Sequence, residues 1–235
     1  MEQQENEDER VNMVFSKKSV TGLTIAALLA VLSGCSDPKA ANTRNFEKAA
    51  QAYLDSKYPY CYFTGNFPAE IKQGSLVSSD AEKFSALASV GLLSTRQETI
   101  EEAVPSLFSR KEPEIREVEV TIYELTDKGR KYYVEKAKRN WRGEMIGGFC
   151  FGKAKLIGVD RYTEPADVGF GLSYVASSVR YRYQVGDFPE WAKDERILAQ
   201  SRELRRDLAS RDEPIIEEYA MILTNEGWIH EKNMD

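Results

Sequence analysis

Few side chains in this sequence are suited to chemistry. There are three cysteines, Cys35, Cys61 and Cys150, and a single histidine, His230. Four such scattered groups cannot make a zinc site of finger-like spacing. His230 sits near the end of the chain, with no partner at a spacing that would make it a general base, and is expected as a surface residue on a last strand. Asp160, Glu164 and Asp167 gather carboxylates around a proline-containing loop, but the calcium-loop pattern is absent and they read as solvated acids. Glu98, Glu101 and Glu102 likewise read as a solvated face. There is no GxSxG elbow, no Walker loop and no GxGxxG between a strand and a helix. "GGFCFGK" (147–153) lacks the spacing of a phosphate loop. The aromatic set Tyr58, Tyr60, Tyr62, Phe63 and Phe67 has two readings, a stacking surface for sugar or peptide, or core packing. No catalytic residue, metal ligand or cofactor is assigned, and the balance lies against an enzyme.

Cys35 has a different setting. Lys17 and Lys18 precede an apolar run from Val20 to Leu32. As a helix those thirteen residues would span roughly 20 Å, short of the roughly 30 Å hydrocarbon core of a bilayer. A basic start, a short apolar stretch and small residues before a cut read as a secretory signal over residues 1–34. Residues 1–12 are acidic, and a start at Met13 would give the conventional form. Leu32-Ser33-Gly34-Cys35 resembles the lipobox of bacterial lipoproteins, and the resemblance covers residues 13–36. It implies cleavage before Cys35 and acylation of that thiol, so that the bilayer is a partner. One acyl chain holds only marginally, whereas two or three anchor firmly. Ser36 rather than aspartate follows the cysteine, which by the enterobacterial sorting pattern implies the outer membrane ahead of the inner one. The expected place is the cell envelope, facing the periplasm. With Cys35 acylated, Cys61 and Cys150 are left as a pair in an oxidising compartment, and a disulfide is expected; two buried free thiols are the alternative.

The whole chain fits this picture. It has 235 residues, 42% apolar and 30% charged, the composition of a globular protein. The net charge of −6 does not suit binding along a phosphate backbone, and no nucleic acid is expected.

The elements that must position these residues follow from pattern. Residues 35–44 read as a lipidated tether. Asn45 is expected to cap a helix from Phe46 to about Ser56, with Phe46, Ala49, Ala50, Tyr53 and Leu54 on one face. Ser79 and Glu82 fit a capping box for a helix ending at Gly91. Residues 117–125 alternate as a strand, and "LTDKGRKYYVEKAKRN" is expected to be helical from Thr126. Helix, "GLL", strands and "LTDKG" resemble part of a winged-helix domain over 80–140. The helix that would read DNA in that family carries Asp80, Glu82 and Lys83 here and no basic cluster. Further on, 149–160 and 172–185 read as strands, 189–210 as one long helix, and 215–231 as strand, turn, strand. The expected fold is α+β, with a helical winged-helix-like lobe (45–143) followed by an antiparallel β-rich lobe (144–235). The expected role is binding or structural, with an envelope protein or glycan as partner. A carboxylate-dependent envelope hydrolase is one alternative. A cytoplasmic winged-helix regulator is the other, if the export signal is misread.

Overall fold

A computed structural model describes residues 37–73, 78–104, 114–169 and 174–234. Cys35, the signal segment 1–34 and the side chain of Ser79 lie outside that set. In chain order the elements are α1 (Thr43–Lys57), β1 (Tyr60–Thr64), β2 (Ala69–Lys72), α2 (Ser78–Ser89), β3 (Leu93–Val104) and β4 (Glu114–Leu125). A single helical turn, α3 (Asp127–Arg130), leads to β5 (Tyr133–Arg139), β6 (Met145–Phe151), β7 (Lys153–Tyr162), β8 (Ala166–Asp167) and β9 (Val175–Gly186). The chain then forms α4 (Glu195–Ala199), α5 (Arg202–Ala209), β10 (Ile215–Leu223) and β11 (Trp228–His230).

All strand pairs are antiparallel, in three sheets of order β1-β6-β5, β2-β4-β3 and β11-β10-β9-β7, with β8 beside β9. This corrects the expected helical lobe followed by a β lobe. Strand β1 lies in the first half of the chain, yet its partner β6 lies in the second. Helix α1 packs on β7, β9 and β11, also in the second half. The winged-helix resemblance fails at its last helix. After α3 the chain turns into β5, because Tyr132, Tyr133 and Val134 favour a pleated, half-buried surface over a helix. The expected long helix is broken as well. Asp194 caps α4 by accepting from the Arg196 amide, and Ser201 caps α5 by accepting from the Leu204 amide, so two short helices replace one.

Local chemistry explains the junctions. Helix α2 ends in a Schellman motif: the Gly91 amide donates to Ala88 O and the Leu92 amide to Leu87 O, with Gly91 at φ +76°. Thr126 docks the start of α3 on that end, its hydroxyl donating to Gly91 O at 2.7 Å. The approach is so close that a Cβ on Gly129 would lie 2.0 Å from Leu92 O, so only glycine fits. Helix α1 is capped by Asn42 rather than by Asn45. The Asn45 side chain is buried instead and donates to Asp37 O (2.9 Å) and Ala40 O (2.8 Å). Trp228 Nε1 donates to Lys39 O at 3.1 Å. Residues 37–41 are therefore fastened to the body, and the expected tether is not a free spacer there.

Two apolar clusters form the core. One joins Phe63, Phe149, Phe151, Trp191, Ile197 and Leu204 with the α2 residues Phe84 and Leu87. The other seats Phe46, Ala49, Ala50 and Leu54 of α1 on Val179, Tyr181, Tyr183 and Val185 of β9. Burying Phe46 and Leu54 contributes about 1.5–3 kcal/mol each.

Candidate functional site

The aromatic segment enters the core. Tyr58, Tyr62 and Phe63 are buried, while Tyr60 and Phe67 are partly covered against the same clusters. Phe67 meets Phe84 edge to face at 5.1 Å. The five do not form an open stacking surface; the adjacent Tyr62 and Phe63 of β1 both pack inward, where the register against β6 shifts. Cys61 lies directly opposite Cys150 in the β1–β6 pairing, and the two are disulfide-bonded. The bond closes a separation of 89 residues, worth up to about 4.6 kcal/mol by loop entropy.

Two carboxylates, one buried and one half-buried, organise the polar interior. The first is Asp207, on α5 and only 1% exposed. Its Oδ2 accepts from both Tyr58 and Tyr62 hydroxyls at 2.8 Å, and its Oδ1 accepts from the Arg206 guanidinium at 2.9 Å. Burial, reinforced by the neighbouring Asp207 charge, drives both phenols far above their ordinary pKa, so they stay protonated and donate to Asp207.

The second is Glu217, on β10. The alternation of β10 points Glu217 inward opposite Tyr181 of β9. Glu217 accepts from Tyr181 at 3.2 Å and from Tyr183 at 2.9 Å, and Lys57 at the end of α1 lies 3.3 Å away as its counter-ion. The Lys57 ammonium also stands 5.4–5.7 Å from the ring centroids of Tyr53, Tyr58 and Tyr183. His230 completes the group. It is wholly buried, contrary to the expected surface position, and stacks on Tyr53 with centroids 3.8 Å apart. Its Nδ1 accepts from the Lys232 amide at 3.1 Å, which leaves the proton on Nε2 to donate to the Tyr181 oxygen at 3.1 Å. Burial, aided by Lys232 and Lys57 and opposed by Glu217, pushes the imidazole down to about 4. It is neutral at pH 7.

The network therefore runs from His230 through Tyr181 to Glu217 and Lys57. Each of these groups has a protein partner. What the arrangement does is lock α1 to the β9–β10 pair by charge-assisted bonds in a low-dielectric setting.

The acids singled out from sequence lie elsewhere. Asp160 pairs with Arg182 at 2.6 Å, Glu98 pairs with Arg96, and Glu102 of β3 pairs with Lys72 of β2 across the intervening β4. Among the described residues no three His, Cys, Asp or Glu side chains are grouped to hold a metal ion. No helix among them is long and apolar enough to cross a membrane. Sequence reasoning missed Asp207, Glu217 and Lys57. Glu217 had a signal: it shares its alternation with Ile215, Tyr219 and Met221, an acid at a core-facing position.

Fold and site together define an antiparallel β protein braced by a disulfide and by two tyrosine-satisfied carboxylates. No family model, curated protein or solved structure matches the chain.

Proposed function

We propose that this protein is an exported lipoprotein of the cell envelope, anchored through acylated Cys35, with a binding or structural role at the membrane surface. The observation that carries this reading is the ordered series Lys17-Lys18, apolar run, Leu32-Ser33-Gly34-Cys35. The Cys61–Cys150 disulfide supports it, because such a bond persists in oxidising compartments and is rare in the cytosol. The pairing of Asp207 and Glu217 with tyrosine and basic partners supports a non-catalytic role. The partner is an envelope protein or a glycan.

Metabolic labelling with palmitate tests the anchor. The wild-type protein is expected to take up label, and Cys35→Ala is expected to be unlabelled and to keep its signal segment. An unlabelled wild type of the same size as Cys35→Ala overturns the proposal.

A further inference from the structure

The turn joining β5 to β6 presents an unusual surface. Trp141 is 86% exposed there, while the other two tryptophans, Trp191 and Trp228, are 6% and 7% exposed. The Arg142 guanidinium lies 4.6 Å from the Trp141 ring centroid. Val134 and Met145 add exposed apolar surface along the same two strands. Between Lys131 and Met145 the sequence carries Lys131, Lys136, Lys138, Arg139 and Arg142 against Glu135 and Glu144, a local charge of +3 on a chain of −6. None of the five cations has a carboxylate within 4 Å among the described residues. Elsewhere, Arg96, Arg116, Arg161, Arg182 and Arg196 are paired in this way.

The tip is also well built. Asn140 Oδ1 accepts from the amides of Arg142 and Glu144, the Gly143 amide donates to Asn140 O, and Arg139 donates to Gly143 O. Gly143 takes φ +83°, which suits the turn. Trp141 is thus held outward on a braced turn, at the cost of leaving a large ring in water.

We propose that this hairpin tip is a contact element for an anionic lipid surface, with Trp141 seated at the headgroup level and the unpaired cations facing lipid phosphates. A ring with one apolar body and one N–H donor suits the membrane–water interface, and surrounding Lys and Arg suit its negative potential. The proposal does not require acylation of Cys35.

Because the other two indoles are buried, a change in emission of the full chain on binding reads Trp141. With vesicles of phosphatidylcholine and phosphatidylglycerol, the emission is expected to shift to the blue and to be shielded from acrylamide. Vesicles of phosphatidylcholine alone should produce neither effect, and raised salt should reverse both. Trp141→Phe should abolish the shift, which assigns it to the tip even if other segments bind the vesicles. Lys138→Gln with Arg142→Gln should weaken the shift-detected partition about 30-fold, with the Trp191 and Trp228 emission unchanged as a check on folding. Unmoved Trp141 emission on anionic vesicles overturns the proposal, as does an equal shift on neutral ones. A shift with a single-stranded oligonucleotide but not with anionic vesicles also overturns it, and assigns the tip to another polyanion.

Discussion

His230 gives this fold a built-in sensitivity to acid. In the unfolded chain its imidazole protonates near 6.5; in the fold, burial holds it down to about 4. Between those values the unfolded chain binds a proton that the fold refuses. Its contribution is therefore fully present above about pH 6.5 and shrinks by about 1.4 kcal/mol per pH unit as pH falls toward 4. Moving from about pH 7.5 to about pH 5 should remove about 2 kcal/mol through this one group. Below pH 4 its total loss levels off near about 3.4 kcal/mol. The groups facing the ring are Tyr53 and Lys57 from α1, Tyr181 from β9, Glu217 and Tyr219 from β10, and Lys232 beyond β11. Only Glu217 favours the charged ring, and it is already engaged by Lys57 and two phenols. The assay is direct because the chain has one histidine. Proton NMR should show a single imidazole titrating near 4, and urea unfolding should give a stability that falls with acid. His230→Gln, although less stable itself, should lose about 2 kcal/mol less than the wild type over the same pH interval. An imidazole midpoint near 6.5, or identical pH slopes for the two proteins, would refute the reasoning.

Further outcomes follow from the same interior. Asp207→Ala leaves two buried phenols without an acceptor and should cost about 4 kcal/mol in urea unfolding; in a Tyr58→Phe, Tyr62→Phe background the same change should cost markedly less, and equal costs would show that the three do not interact. Lys57→Met strips the counter-ion from Glu217 while both remain partly wetted, so a loss of about 2–3 kcal/mol is expected by thermal or chemical denaturation. Replacing Cys61 and Cys150 together by serine should lower stability by up to about 4.6 kcal/mol relative to the oxidised wild type, and reduced wild type should match the variant. Gly129→Ala drives a methyl into Leu92 O and should expose the α2–α3 junction to protease, whereas a wild-type cleavage pattern would argue against that contact.

What the sequence disclosed depended on how local the determining contact was. The α1 face was legible because Phe46, Ala49, Ala50 and Leu54 repeat at helical spacing and pack as a unit. Strand β9 was legible because Val179, Tyr181, Tyr183 and Val185 alternate with residues that stay partly exposed. The β10–turn–β11 hairpin announced itself through Asn225 to Gly227, with Gly227 at positive φ. Strand β5 was not legible: "YYVEKAKR" satisfies both periods poorly, and its pairing with β6 decides the outcome. The break between α4 and α5 hinged on Asp194 and Ser201 acting as caps, which an uninterrupted apolar stripe conceals. The Asp207 and Glu217 centres join residues about 150 positions apart, a relation no local pattern encodes. Tyr58 and Tyr62 read as core packing or as a recognition surface, because exposure, unlike composition, is fixed only by the sheet.

The arrangement of strands has a consequence for how the chain can be made. Strand β1 cannot find β6 until some eighty further residues exist, and α1 lacks part of its seat until β11 has left the ribosome. A polypeptide emerging amino end first therefore has no stable intermediate core to close around its own leading helix, and the folding rate should be set by these distant closures. Among the described residues the β2–β4–β3 sheet can close once Leu125 is made, while the seats of β1 and α1 are among the last to set.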